Sequence, residues 1–152
     1  MANFIEREID MPEIAHRIEI EASPEEVYEA ITSPNRLSKW WTSASENVEN
    51  ANLLDFDFGG GHIVRMQVEE AVVPERVVWQ CVEGPWADNG NFVFELEAIE
   101  RGTNLRFTHH GWSDTDDFFR HCNGKWGFFL AVSLKGLLEV GQGQPSPNDP
   151  AI

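Results

Sequence analysis

The residues of this chain that could do chemistry are few and scattered: five histidines and two cysteines in 152 residues, with one run of three glycines. Three arrangements come into question. The first is a thiol–imidazole pair, Cys122 with His121 or His109. A cysteine nucleophile needs a base within hydrogen-bond reach, and His121 and Cys122, adjacent on a helix, diverge by about 100°. A buried cysteine without such a base is a small inert hydrophobe. The second is a metal site. His109 and His110 are neighbours on a strand, so their rings point to opposite faces, and no two histidines have the i, i+4 spacing of a helical zinc site. The third is a phosphate loop at Gly59-Gly60-Gly61. Such a loop needs Gly-Lys-Ser/Thr opening a helix, whereas His-Ile-Val-Arg follows here and reads as strand, so the glycines predict a hairpin turn. This reading yields no catalytic set, no metal ligands and no cofactor. His62, Arg65 and His109 remain as polar groups that could hold or activate a substrate inside a pocket.

The stronger signal is aromatic. Six Trp and ten Phe are spread over the chain. Aromatics in alternation normally form core, yet so many of them, with small residues opposite, also suit a cavity that stacks on an apolar or aromatic ligand. The expected wall comprises Trp40, Trp41, Phe58, His62, Met66, Trp79, Phe94, Phe107, His109, Trp112, Cys122, Trp126 and Phe129.

The elements that must position these residues follow from periodicity. From Glu13 to Glu21, Ile14, His16, Ile18 and Ile20 share one face, as in a half-buried strand. Ser23-Pro24-Glu25-Glu26 opens a helix, with Ser as N-cap, Pro in the first turn and acids at its positive end. Ser33-Pro34 ends it, and residues 35–41 predict a second short helix. Strands follow: Leu53 to Phe58, then a segment from His62 with Val64, Met66 and Val68 inward, then Val77 to Val82 after a turn at Pro74. Phe92, Phe94 and Leu96 form the next inward face, and Leu105, Phe107 and His109 the last. A long helix is predicted from about Asp116 to Val140. Its stripe is Phe119, Cys122, Trp126, Phe129, Ser133 and Leu137, widened by Leu130, Leu134 and Leu138, with Gly124, Gly127, Ala131 and Gly136 as small residues that allow close approach to the sheet or leave room for a ligand. Residues 142–152, rich in Gly, Pro and Asn, predict a loose tail, and residues 1–11 an N-terminal extension.

Together these elements predict an α+β helix-grip fold. A curved antiparallel sheet of six or seven strands wraps around a long C-terminal helix, with two short helices after the first strand, in one domain over 1–152. One long helix cannot bury its apolar stripe alone, and a sheet curved around it tends to enclose a cavity.

Composition excludes some partners. With 11 Lys and Arg against 26 Asp and Glu, the formal net charge is −15, which disfavours nucleic acid and anionic membrane surfaces. No apolar run is long enough to span a bilayer. The first residues lack the basic and apolar regions of a secretory signal. Two cysteines without CxxC spacing predict reduced thiols and a cytoplasmic location.

Four segments carry a family resemblance: Ile-Glu-Ile-Glu-Ala-Ser-Pro-Glu-Glu-Val-Tyr-Glu-Ala-Ile-Thr at 18–32, Leu-Ser-Lys-Trp-Trp at 37–41, Phe-Gly-Gly-Gly-His at 58–62, and His-His-Gly-Trp at 109–112 with Trp126, Leu130 and Leu134. In this order they resemble the SRPBCC or START-like superfamily, which includes the birch-pollen allergen and polyketide cyclases. The nearer resemblance is to the bacterial homologues of the heat-shock chaperone ATPase activator domain. The resemblance covers nearly the whole chain and implies a deep pocket between sheet and last helix. Because that scaffold hosts several functions, three expectations stand beside each other. The first is a binding protein for a small apolar or aromatic ligand. The second is a cyclase, dehydratase or hydrolase in the same pocket. The third is an interaction module that contacts a chaperone. A homodimer is compatible with each.

Overall fold

The computed structural model describes residues 11–87 and 90–152. The expected N-terminal extension therefore lies, apart from Met11, outside the described residues. The strands are β1 (Ile14–Ile20), β2 (Ser43–Glu46), β3 (Leu53–Asp57), β4 (Ile63–Val72), β5 (Arg76–Glu83), β6 (Asn91–Ile99) and β7 (Gly102–His109). They form one antiparallel sheet in the order β1-β7-β6-β5-β4-β3-β2. The predicted helix-grip architecture is observed.

Local chemistry explains most boundaries. Helix α1 (Pro24–Thr32) begins where the Ser23 side chain accepts the Glu26 N–H at 3.2 Å. The second helix is shorter than predicted and starts earlier. Pro34 does not merely end α1; it opens α2 (Pro34–Leu37), since a proline N–H is not needed in a first helical turn. Trp40 and Trp41 follow on a turn whose backbone N–H groups both bond the Leu37 carbonyl. Strand β2 was not legible in the sequence: Ser43-Ala44-Ser45-Glu46 is a polar edge strand, mostly exposed, without an apolar face. At the β6–β7 turn only glycine fits, because Gly102 has φ +147° and a Cβ there would stand 2.0 Å from the Ile20 carbonyl oxygen.

The sheet curves because β4 is bulged. Its register against β5 shifts between Arg65 and Met66 and again between Val68 and Glu70, and an extra residue on one strand bends it. The concave face holds the closing helix. That helix begins at Asp116, whose carboxylate accepts the Phe119 N–H at 2.9 Å, and ends at Gly141 in the left-handed conformation. Between α3 (Asp117–Phe128) and α4 (Lys135–Val140) lies a wider π-helical stretch, Phe129–Leu134. Simple 3.6-residue periodicity does not anticipate it. Ala131, expected with the inward stripe, is exposed, since it lies about 140° round the helix from Trp126.

The helix lies close to β1. His16 Nε2 donates to the Asn123 carbonyl at 3.2 Å and Lys135 Nζ to the Glu19 carbonyl at 2.8 Å. A Cβ on Gly127 would touch the His16 ring at 3.4 Å, and one on Gly124 would crowd Ile152 at 3.0 Å. The expected close approach to the sheet holds for Gly127, which faces β1, whereas Gly124 packs against the C-terminal tail. The tail departs from expectation. Gln144 N–H bonds Ser133 Oγ at 2.8 Å, Ser146 N–H bonds the Trp41 carbonyl at 2.8 Å, and Lys125 Nζ reaches Asp149 Oδ2 and the Pro150 carbonyl, each at 2.5 Å. Composition predicted a loose segment because Gly, Pro and Asn form no regular element; specific polar partners on the helix and on the Trp41 turn hold it nonetheless.

Candidate functional site: an aromatic cavity

Trp41 is the hub of the interior. It is 2% exposed, stands 4.5 Å from Phe56 and 5.0 Å from Trp126 between ring centroids, and stacks on Trp79 at 5.8 Å. Trp126, near the C-terminal end of α3, completes the cluster against Phe107 at 4.3 Å. Trp40, its ring stacked on that of Trp41 at 6.4 Å, is fully buried, with its indole N–H donated to the Ala30 carbonyl at 2.8 Å. The two tryptophans thus divide the work: one ties the sheet's end to α1 and the other faces the closing helix.

Above this cluster lies a cavity of about 380 Å³, within the range of small-molecule sites. Its floor is Trp41 and Trp126. One side is Phe58, His62 and Val64 from the β3–β4 hairpin; another is Pro85 and Trp86 from the β5–β6 loop. The closing helix contributes Phe118, His121, Cys122, Lys125 and Phe129, and the tail contributes Ser146 and Asp149. Phe118 remains 39% exposed and stacks on Trp86 at 6.5 Å, forming an apolar lip.

Of the wall residues expected from the sequence, Trp41, Phe58, His62, Cys122, Trp126 and Phe129 border this space. Trp40, Met66, Trp79, Phe94 and Phe107 do not; they are fully buried as core. His109 and Trp112 also lie off the cavity, joined by a Trp112 Nε1–H bond to His109 Nδ1 at 3.2 Å, with the His109 ring stacked on Phe92 at 3.7 Å. Alternation tells which strand face is inward, but not whether that face meets another side chain or a void. His62 sits at the exposed start of β4 rather than deep on its inner face. Alternation marks Val64 as inward but not as wall. Pro85, Trp86, Phe118, His121, Lys125, Ser146 and Asp149 were missed. They lie on a loop, at a helix start, on the helix's polar flank and in the tail, where periodicity carries no signal.

The chemistry available is limited. Burial pushes the Cys122 thiol up to about 11, partly opposed by the Trp86 indole N–H, so at neutral pH it is a thiol and not a nucleophile. Burial raises Cys81 as well, and both cysteines are free. Arg65 is turned away, bound through Nε to Asp55 at 2.7 Å; that carboxylate, by hydrogen bond and charge, raises the guanidinium's already high pKa. Exposed His110 pairs with Glu13 at 2.8 Å, on the face opposite His109, as strand geometry requires. Among the described residues no group of three or more His, Cys, Asp or Glu is placed to hold a metal, and no helix is long and apolar enough to cross a membrane. The cavity is thus apolar and aromatic, with Lys125, Asp149, Ser146 and two imidazoles at its edge.

Comparison with known proteins agrees with this architecture. The sequence profile of the family described as Activator of Hsp90 ATPase homolog 1-like protein matches residues 21–139. No protein of curated function matches the chain. Among solved structures, the solution structure of the Aha1 dimer from Colwellia psychrerythraea is 39% identical, with a TM-score of 0.76 over 88% of this chain and 100% of that one. Protein SSP2350 from Staphylococcus saprophyticus, 19% identical, shares the fold with a TM-score of 0.72 over 87% and 95% of the two chains. DynU16, a protein of the dynemicin biosynthetic locus, is 21% identical with a TM-score of 0.71 over 86% of this chain and 48% of its own. With most of its length matched by the family profile and a 39% identical relative covering the same fold, this chain belongs to the Activator of Hsp90 ATPase homolog 1-like family of the SRPBCC superfamily.

Proposed function

We propose that this protein binds a small apolar or aromatic molecule in the cavity between the sheet's β3–β5 end and the closing helix. The observation that supports this reading is the wall itself. Two indoles form the floor, a third closes the side, and an exposed phenyl ring makes the lip, around about 380 Å³ of space. A ligand there would bury its apolar surface against rigid rings, each contributing area at little entropic cost. An enzyme in the same cavity has less support, because Cys122 is held as a thiol and, of His62, Arg65 and His109, the cavity touches only His62 among the described residues. The relative described as a dimer supports a homodimer as the assembled form. Titration with the uncharged fluorophore N-phenyl-1-naphthylamine tests the binding reading. A single saturable site with a blue-shifted dye and energy transfer from tryptophan is expected. Absence of binding up to the dye's solubility, together with no co-purifying molecule in native mass spectra, would overturn it.

A further inference from the structure

Resting on that ligand-binding reading, we propose that the ligand is an aromatic or apolar acid. Its carboxylate replaces Asp149 on Lys125, so that the C-terminal tail acts as a built-in competitor for the site. Lys125 and Asp149 both border the cavity, and their side chains are only 19% and 12% exposed. A charge pair this far from water gains little net stability over two apolar side chains, because desolvation offsets attraction. Its placement at the rim of an aromatic cavity is explained if the cation is there to be matched by a guest.

The two partners are not held alike. Lys125 stands on α3, within a helical stretch continuous from Asp117 to Val140. Asp149 lies on irregular chain beyond it, fastened by Ser146 N–H on the Trp41 carbonyl, Gln144 N–H on Ser133 Oγ, a local turn in which Gln144 Nε2 donates to the Asn148 carbonyl and Asn148 N–H to the Pro145 carbonyl, and the Lys125 contacts themselves. The member that can leave is therefore the carboxylate. Exchange of one carboxylate for another keeps Lys125 paired, and the displaced Asp149 recovers full hydration. Of the other chargeable groups on the wall among the described residues, Cys122 is kept protonated by burial, and the remaining two are imidazoles, His62 and His121, which can donate to an anion. The acidic surface of the whole chain opposes an approaching acid, but that field is screened beyond about 8 Å at physiological salt, so the contact decides affinity.

The test compares 2-naphthoic acid with its uncharged isostere 2-naphthamide by isothermal titration calorimetry on the full chain, as parent, Asp149→Asn and Lys125→Met. Removing the competitor in D149N should tighten naphthoate about fivefold, since one carboxylate exchanges for another and only the difference between the two pairings is gained, and leave naphthamide within about twofold. K125M should weaken naphthoate by about the same factor and spare naphthamide. Parallel changes in both probes, or naphthamide binding with no response of naphthoate to either substitution, would refute the acid-for-acid exchange while leaving the cavity reading intact. If neither probe binds the parent or D149N, the cavity reading fails and the inference with it. Should K125M not fold, D149N beside Asp149→Ala carries the same comparison.

Discussion

Trp126→Ala measures how much of the cavity is wall and how much is core. The ring is 2% exposed and contacts Phe107 at 4.3 Å, Trp41 at 5.0 Å and Phe92 at 6.1 Å between centroids. A fully packed tryptophan truncated to alanine costs about 3–5 kcal/mol, the upper end where the space left behind stays empty. Here a small part of the ring's surface borders an open cavity, so it has somewhat fewer partner atoms to lose there. The new void can also fill with solvent through the mouth. The expected loss is therefore near about 3 kcal/mol, which for a chain of this length lowers the Tm by roughly 6–12 °C. Urea unfolding followed by far-UV circular dichroism reads the free energy, and an unchanged m-value would show that the two-state comparison holds. A loss above about 5 kcal/mol would mean that the ring is surrounded on all sides and that the hollow beside it is closed in solution. A loss under about 1 kcal/mol would mean that it is not part of the core at all. The same variant should bind N-phenyl-1-naphthylamine more weakly, because the floor on which the dye stacks is gone.

Other residues give independent checks. Cys122, raised to about 11 by burial, should resist iodoacetamide at pH 7.5 in the folded protein and react once urea unfolds it. Rapid labelling of the native state would contradict its burial. The sign of the pH effect follows: the folded thiol keeps its proton where the unfolded one, with an ordinary value near 8.5, has lost it. This stabilising contribution is complete below that value and fades as pH rises toward about 11. Urea midpoints at pH 8 and 10 for the parent and Cys122→Ala should show a steeper decline in the parent. Ser133→Ala removes a buried hydroxyl that donates to the Trp40 carbonyl at 2.7 Å and accepts the Gln144 N–H at 2.8 Å. It should cost about 1–3 kcal/mol and speed proteolytic cleavage within 142–152, and unchanged protection of the tail would show that other bonds hold it.

The sequence by itself determined the succession of strands and helices, because each is written in local terms. Ile14 to Ile20 alternates, Ser23-Pro24 caps a helix, the three glycines at 59–61 turn a hairpin, and the closing helix, read from about Asp116 to Val140, runs from Asp117 to Val140. Family membership was legible for the same reason, since its motifs are those local segments in order. What lacked a local signature was decided only by the tertiary structure. Strand β2 is polar and owes its form to pairing with β3. The π-helical stretch at Phe129–Leu134 departs from the periodicity used to read the helix. The cavity wall depends on which inward rings meet across space: Phe94 and Met66 alternate inward as correctly as Phe58 or Val64, yet the first two are covered by other side chains and the last two face a hollow. The tail carries no apolar pattern, so only the positions of Ser133, Lys125 and the Trp41 carbonyl, brought together from distant parts of the chain, make it a wall of the site. Periodicity records which side of an element avoids water, but whether that side meets a neighbour or a void is set by the curvature of the sheet and the path of the chain around it.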